Sequence, residues 1–139
     1  MCKEFENLPK IIAVDFDGTL VEDKWPKIGE PKEELFQMLK LLKEKYSVKI
    51  ILWTCRNNNE KYGNLLQEAV DFCQEKGLIF DSVNENLKEA IELSGGSDSR
   101  KIHADIYIDD KATCSPSTPF FWIEKLGANW IDVMKAVFS

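Results

Sequence analysis

The sequence holds a single histidine, His103, and four cysteines, Cys2, Cys55, Cys73 and Cys114. No two of those cysteines stand in a C-x-x-C spacing, so a zinc site built from thiolates and imidazoles lacks ligands. The cysteines read as reduced thiols of a cytoplasmic protein. No apolar run reaches the roughly 18 residues that a bilayer span requires, which sets aside a membrane partner. Residues 1–7 lack the apolar stretch and small-residue cleavage site of a secretory signal. A positive excess is also missing: 18 Lys and Arg face 24 Asp and Glu, for a net charge of -6. A general nucleic-acid binder carries a basic stripe. The balance argues against one, although a local basic patch fits on an acidic protein.

What is present suffices for one domain over residues 1–139. At this size folding buries roughly two-thirds of the surface of the unfolded chain, so a core forms without disulfide staples. Ile11-Ile12-Ala13-Val14 is a short continuous apolar run, the pattern of a strand buried on both faces, and it stops at Asp15. Residues 22–30 form a polar stretch punctuated by Pro26 and Gly29. Pro31 is placed to open a helix, with Glu33 and Glu34 in its first turn and Leu35, Met38, Leu39, Leu42 and Tyr46 along one face. A second strand is expected over 48–53. A loop at 56–59 precedes a helix carrying Tyr62, Leu65, Leu66, Ala69, Val70 and Cys73, closed by Gly77. Residues 78–83 suggest a third strand and 87–93 a short helix. Residues 94–99, Ser-Gly-Gly-Ser-Asp-Ser, have the composition of a flexible linker. A fourth strand is expected over 102–108, a further strand or helix start at 120–123, and a closing helix over 130–137.

Strands alternating with helices imply an α/β fold with a mostly parallel, doubly wound sheet. Ligands bind such sheets beyond the carboxyl ends of the strands. Three of the apolar strands end in polar side chains: Asp15, Thr54 and Asp109-Asp110. In extended chain, residues i and i+2 point the same way, so Asp15 and Asp17 face one pocket, and Gly18 lets the chain turn sharply beside them. Acids gathered at one edge repel unless a cation intervenes. Magnesium suits them, because it takes oxygen ligands from one or two carboxylates and from phosphate. Thr54 offers a hydroxyl and Lys101 a positive charge, while backbone N–H groups over 15–19, Gly18 among them, offer an anion-binding nest. Such parts suit phosphoryl transfer.

Asp15-Phe16-Asp17-Gly18-Thr19-Leu20 resembles the first motif of the haloacid dehalogenase-like superfamily. Ile50-Ile51-Leu52-Trp53-Thr54 resembles its second, and Ile106-Tyr107-Ile108-Asp109-Asp110 its fourth. In order and spacing the motifs span roughly residues 8 to 112. The resemblance implies a three-layer Rossmann-like sheet of strand order about 3-2-1-4. It implies a magnesium-dependent phosphatase in which Asp15 attacks phosphorus to form an aspartyl-phosphate. Asp17 would protonate the leaving oxygen and then deprotonate water. Thr54 and a lysine would hold the phosphoryl oxygens; Lys101 suits best, with Lys88 and Lys111 as alternatives. Asp15, the Asp17 carbonyl and Asp109 would bind magnesium, with Asp110 a ligand or a partner to one. No stretch is long enough for a cap domain, so the site is expected to be open. It would admit a phosphate on a large molecule or lie under a neighbouring subunit. Nucleotide ends, phosphoproteins, sugar phosphates and lipid-like phosphates all stay open as substrates.

Several residues carry two readings. Arg56 is a substrate contact or a surface arginine. Trp25 covers the site or packs on a neighbouring helix. Trp53 and His103 read as structural, and nothing around Cys55 marks an activated thiol. A receiver module phosphorylated at Asp81, a protein-interaction module, and a phosphotransferase whose acceptor is not water are the competing functions.

Overall fold

The structure is a computed structural model that describes residues 10–109. Asp110, Lys111, Cys2 and Cys114, with the readings over 120–123 and 130–137, lie outside those residues. In chain order the elements are β1 (Ile11–Val14), β2 (Val21–Lys24), β3 (Lys27–Pro31), α1 (Glu33–Tyr46), β4 (Lys49–Leu52), β5 (Asn58–Asn59), β6 (Gly63–Asn64), α2 (Leu65–Glu75), β7 (Ser82–Val83), α3 (Lys88–Leu93) and β8 (Ile106–Ile108).

Among the described residues four strands form one parallel sheet in the order β7-β4-β1-β8. Numbered among themselves they run third, second, first, fourth, the order that the resemblance implies. The central strand β1 is apolar throughout because both of its faces are covered. Ile12 and Val14 pack with Ile50, Leu52 and Ile108 against Phe36, Leu39 and Leu42 of α1 and Ala69 and Cys73 of α2. Ala13 and Ile51 face the other way, against Leu87 and Ile102. Trp53 packs on that second cluster, as expected for a core residue. The direction of strand addition reverses at β1, and such a reversal opens a crevice beyond the carboxyl ends of the strands flanking it.

Several boundaries differ from expectation. Pro31 ends β3, paired with Val21, and α1 starts at Glu33. The stretch over 22–30 is the antiparallel β2–β3 hairpin. Its tight pairing needs Gly29, where a Cβ would stand 2.1 Å from the Glu22 carbonyl oxygen. We expect Gly29→Ala to destabilise the protein by about 1–3 kcal/mol, the usual cost of overpacking, read as a lower urea midpoint. An unchanged midpoint would show the hairpin to be freer than its geometry. Tyr62 lies before α2, in the turn joining β5 to β6, because those short strands pair where a loop was expected. Gly77 does follow α2, with φ of 89° and its N–H donating to the Gln74 carbonyl. β7 is shorter than the apolar run suggests. The Asp81 carboxylate takes the Ile50 N–H at 2.8 Å, so a side chain replaces a backbone carbonyl at that rung.

The segment with linker composition is tied down at its far end. Asn86, 5% exposed, donates to Asp98 Oδ1 at 2.7 Å and accepts the His103 N–H at 2.6 Å. Burial pushes the Cys73 thiol up to about 12, with Lys76 acting weakly against it. Alkylation at pH 8, followed by peptide mapping, is therefore expected to modify exposed Cys55 and to spare Cys73 until the chain is unfolded. Equal labelling of the two in the folded protein would contradict this packing. Among the described residues no helix is long and apolar enough to cross a membrane.

Candidate active site

Beyond the carboxyl ends of β1, β4 and β8 lies an open pocket of about 320 Å³, lined by Asp15, Asp17, Asp23, Trp25, Thr54, Cys55, Arg56 and Asp109. The local chain explains the convergence. The Asp15 N–H donates to the Ile108 carbonyl at 2.9 Å, which extends the β1–β8 ladder by one rung and sets Asp15 beside Asp109 at the two strand ends. Phe16 then turns inward and is fully buried against Phe72 and the Arg56 guanidinium. Its inward turn leaves Asp15 and Asp17 on the pocket side, as the alternation of an extended chain requires. Thr19, buried to 1%, donates its hydroxyl to Asp15 Oδ2 at 3.3 Å.

The anion nest expected over 15–19 is largely spent on the turn itself. The Gly18 N–H donates to the Val21 carbonyl at 2.8 Å, and the N–H groups of Thr19, Leu20 and Val21 all converge on the Phe16 carbonyl. Gly18, at φ 83°, serves the turn, and its own carbonyl accepts from Lys32 Nζ. Its N–H is thus not open to phosphate, which corrects the expectation for this residue.

Just past the end of β4 the Thr54 N–H donates to Asn84 Oδ1 at 2.8 Å, and the Thr54 hydroxyl oxygen accepts the Arg56 N–H at 3.1 Å. A hydroxyl that accepts one bond still has its proton to give, so Thr54 can donate into the pocket. Arg56 is 2% exposed and not a surface arginine. Its Nε and Nη2 donate to the two Asp17 oxygens at 2.8 Å each. Nη2 also donates to the Lys27 carbonyl at 3.0 Å and Nη1 to that of Leu65 at 3.4 Å, while the guanidinium carbon stands 5.0 Å from the Phe16 ring centroid. One side chain thus joins the first motif, the β2–β3 hairpin and α2.

A solved structure from Bacteroides thetaiotaomicron, described as the conserved protein coded by a locus of that organism, is similar to this chain. The two are 36% identical over 86% of this chain and 91% of that one, with a TM-score of 0.69. This chain belongs to the same family as that protein. No family model matches the sequence, and no curated protein matches it.

Two of the lysines expected at the phosphate, Lys101 and Lys88, do not line this pocket. Lys101 is not among the lining residues; its Nζ lies over the Tyr107 ring, 5.8 Å from the centroid. Lys88 borders a separate cleft with Lys49 and Asp81. Asp81 itself sits at the amino end of β7, where it accepts from Lys43 and from the Ile50 N–H, away from the edge that holds Asp15. His103 is exposed and does not line the pocket. Asp23 and Asn84 have no signal in the sequence beyond polarity, while Thr19 stands in the first motif without a role of its own. Asp23 reaches the pocket only through the hairpin. Asn84, at φ 54°, closes the Thr54–Arg56 loop from the end of a different strand.

Among the described residues no three acids, histidines or cysteines converge as a complete metal site. The carboxylates that line the pocket, Asp15 and Asp109 foremost, supply oxygen donors beside the Cys55 thiol. Those carboxylates could hold magnesium, which is commonly bound by one or two carboxylates plus water and phosphate oxygens.

Proposed function

We propose that this protein is a magnesium-dependent phosphomonoesterase of the haloacid dehalogenase-like type, with Asp15 as its nucleophile. The supporting observation is that Asp15, Asp17, Thr54 and Asp109, from three separate strand ends, line one pocket. In this reading the sheet is the Rossmann-like core of that superfamily without a cap domain, and the short β2–β3 hairpin is what overhangs the site.

Asp15 and Asp109, with the Asp17 carbonyl and Asp110, would hold magnesium. The ion would neutralise charge on the phosphoryl oxygens. Thr54 donates its hydroxyl proton to one of those oxygens and so orients the phosphoryl group towards Asp15. Thr19 holds the Asp15 carboxylate by its other oxygen. An Asp15 oxygen attacks phosphorus, the phosphorus–ester bond breaks, and the leaving oxygen takes a proton from Asp17. Water then attacks the aspartyl-phosphate and gives a proton to Asp17. Free phosphate departs, and the Asp15 carboxylate is restored. Both Asp17 oxygens accept from Arg56 in the ion pair, so Asp17 takes up a proton from solvent and gives up one of those bonds before it acts as the acid, and the proton it gains from water restores that state. Lys101 would serve as the phosphate-binding cation only by leaving the Tyr107 ring, and Lys111 is the other candidate. The position of Asp81 gives a receiver-type role no support.

The test is turnover of a generic aryl phosphate by the purified protein, expected with magnesium and lost with EDTA. Absence of turnover across a broad panel of phosphorylated metabolites and phosphopeptides would sink the proposal.

A further inference from the structure

Trp25 and Tyr62 are both large and exposed, at 47% and 44%, and they touch each other at the mouth of the pocket. Their ring centroids are 5.0 Å apart with an interplanar angle of 65°. A T-shaped contact of this kind uses at most one face of the indole, and nearly half of the Trp25 surface remains exposed. Trp25 lines the same pocket as Asp15 and Asp109.

The placement of Trp25 is built into the site. Trp25 is at the tip of the β2–β3 hairpin, and its N–H donates to Asp23 Oδ1 at 3.3 Å. Two residues on, the Lys27 carbonyl accepts from Arg56 Nη2, the nitrogen that also holds Asp17. One guanidinium therefore sets the distance between the charged floor and the aromatic rim. Tyr62 comes from the separate β5–β6 hairpin, where its N–H donates to Asn59 Oδ1 at 2.8 Å. A molecule that fills both parts has a phosphate at one end and an apolar group at the other. A flat π-system gains more against an indole than an aliphatic group of equal size does. On the Tyr62 side of the rim a cationic group would meet Lys61 Nζ, 5.1 Å from the Tyr62 ring centroid. At about 320 Å³ the pocket is at the small end of ligand sites, which suits a single ring system.

We propose that Trp25, braced by Tyr62, is a stacking subsite that selects phosphate monoesters whose leaving group carries a flat aromatic ring close to the phosphate. This inference rests on the phosphatase reading for the position of the phosphate.

Two unreactive analogues test it by calorimetry on the magnesium-loaded protein: benzylphosphonate and cyclohexylmethylphosphonate, alike in size and charge but differing in planarity. Benzylphosphonate is expected to bind about three- to tenfold more tightly, the range of an aromatic pair. Trp25→Ala is expected to bring the ratio to about one, and Trp25→Phe, which keeps a ring, to leave it above about two. A wild-type ratio of one, a ratio that survives Trp25→Ala, or no binding of either analogue would overturn the subsite. Turnover of benzyl and cyclohexylmethyl phosphates separates the two claims. Aromatic preference in binding without turnover of either ester would remove the phosphatase reading and keep the subsite. Equal turnover of both, with no preference in binding, would do the reverse.

Discussion

Arg56→Ala is expected to cost about 3–5 kcal/mol of stability, the usual penalty for breaking a buried ion pair, and to abolish turnover. Total stability of a domain is about 5–15 kcal/mol, so the variant stands near the edge of folding. The size of the effect follows from burial. The Arg56 side chain has no exposed surface and that of Asp17 is 17% exposed. Removing a charge from water costs several kcal/mol, which only good geometry returns. Here that return comes from the two-pronged contact with Asp17, the carbonyls of Lys27 and Leu65, and the Phe16 ring. Alanine would leave a void and strand the Asp17 carboxylate. Arg56→Lys should recover only part of the loss, since an ammonium cannot match a planar fork. The double change Arg56→Met with Asp17→Leu should be more stable than Arg56→Ala, because it leaves no unpaired charge, yet inactive. Urea midpoints measure all of these. If Arg56→Ala unfolds within about 1 kcal/mol of the wild type, the pair does not organise the site.

Asp15→Asn is expected to bring turnover down to the background of the assay while stability changes by less than about 1 kcal/mol. The amide has the shape of the carboxylate and can still accept from Thr19, so the turn should survive. It is not a nucleophile, so no aspartyl-phosphate forms. Asp17→Asn should differ in kind. It keeps an oxygen for Arg56 but loses general acid and base action, typically about 10²–10⁴-fold. The second step lacks its base in that variant, so a phosphoryl group should accumulate on Asp15 and be visible by mass spectrometry after rapid acid quench. Full activity in Asp15→Asn would remove Asp15 from the chemistry. A phosphoryl group trapped on another residue, such as Asp81, would move the chemistry there.

The comparison of sequence with fold turns on range. The strands at 11–14 and 48–53 and a one-sided helix beginning near Pro31 are legible because burial on two faces or on one stripe leaves a period in the sequence. Hairpins that bury little leave no such mark. The β2–β3 pair has only Val21 and Gly29 buried among its residues, and β5–β6 has none. The end of the Ser-Gly-rich segment was misjudged because Asn86, which ties it to the body, comes before it in the chain and outside its composition.

By itself the sequence determined the parallel alternation and which strand ends carry acids, since both follow from local patterns of hydrophobicity and position. That Asp15 and Asp17 share a side of the chain also followed, because it depends only on the two-residue repeat of extended backbone. The tertiary structure alone decided what those acids meet. It made Arg56 the buried partner of Asp17, moved Trp25 to the rim beside Tyr62, and turned the Gly18 N–H back into its own turn. Each of these is a contact between side chains or hairpins that no period encodes: Arg56 and Asp17 are 39 residues apart, and their pairing exists only once the sheet has brought two strand ends together.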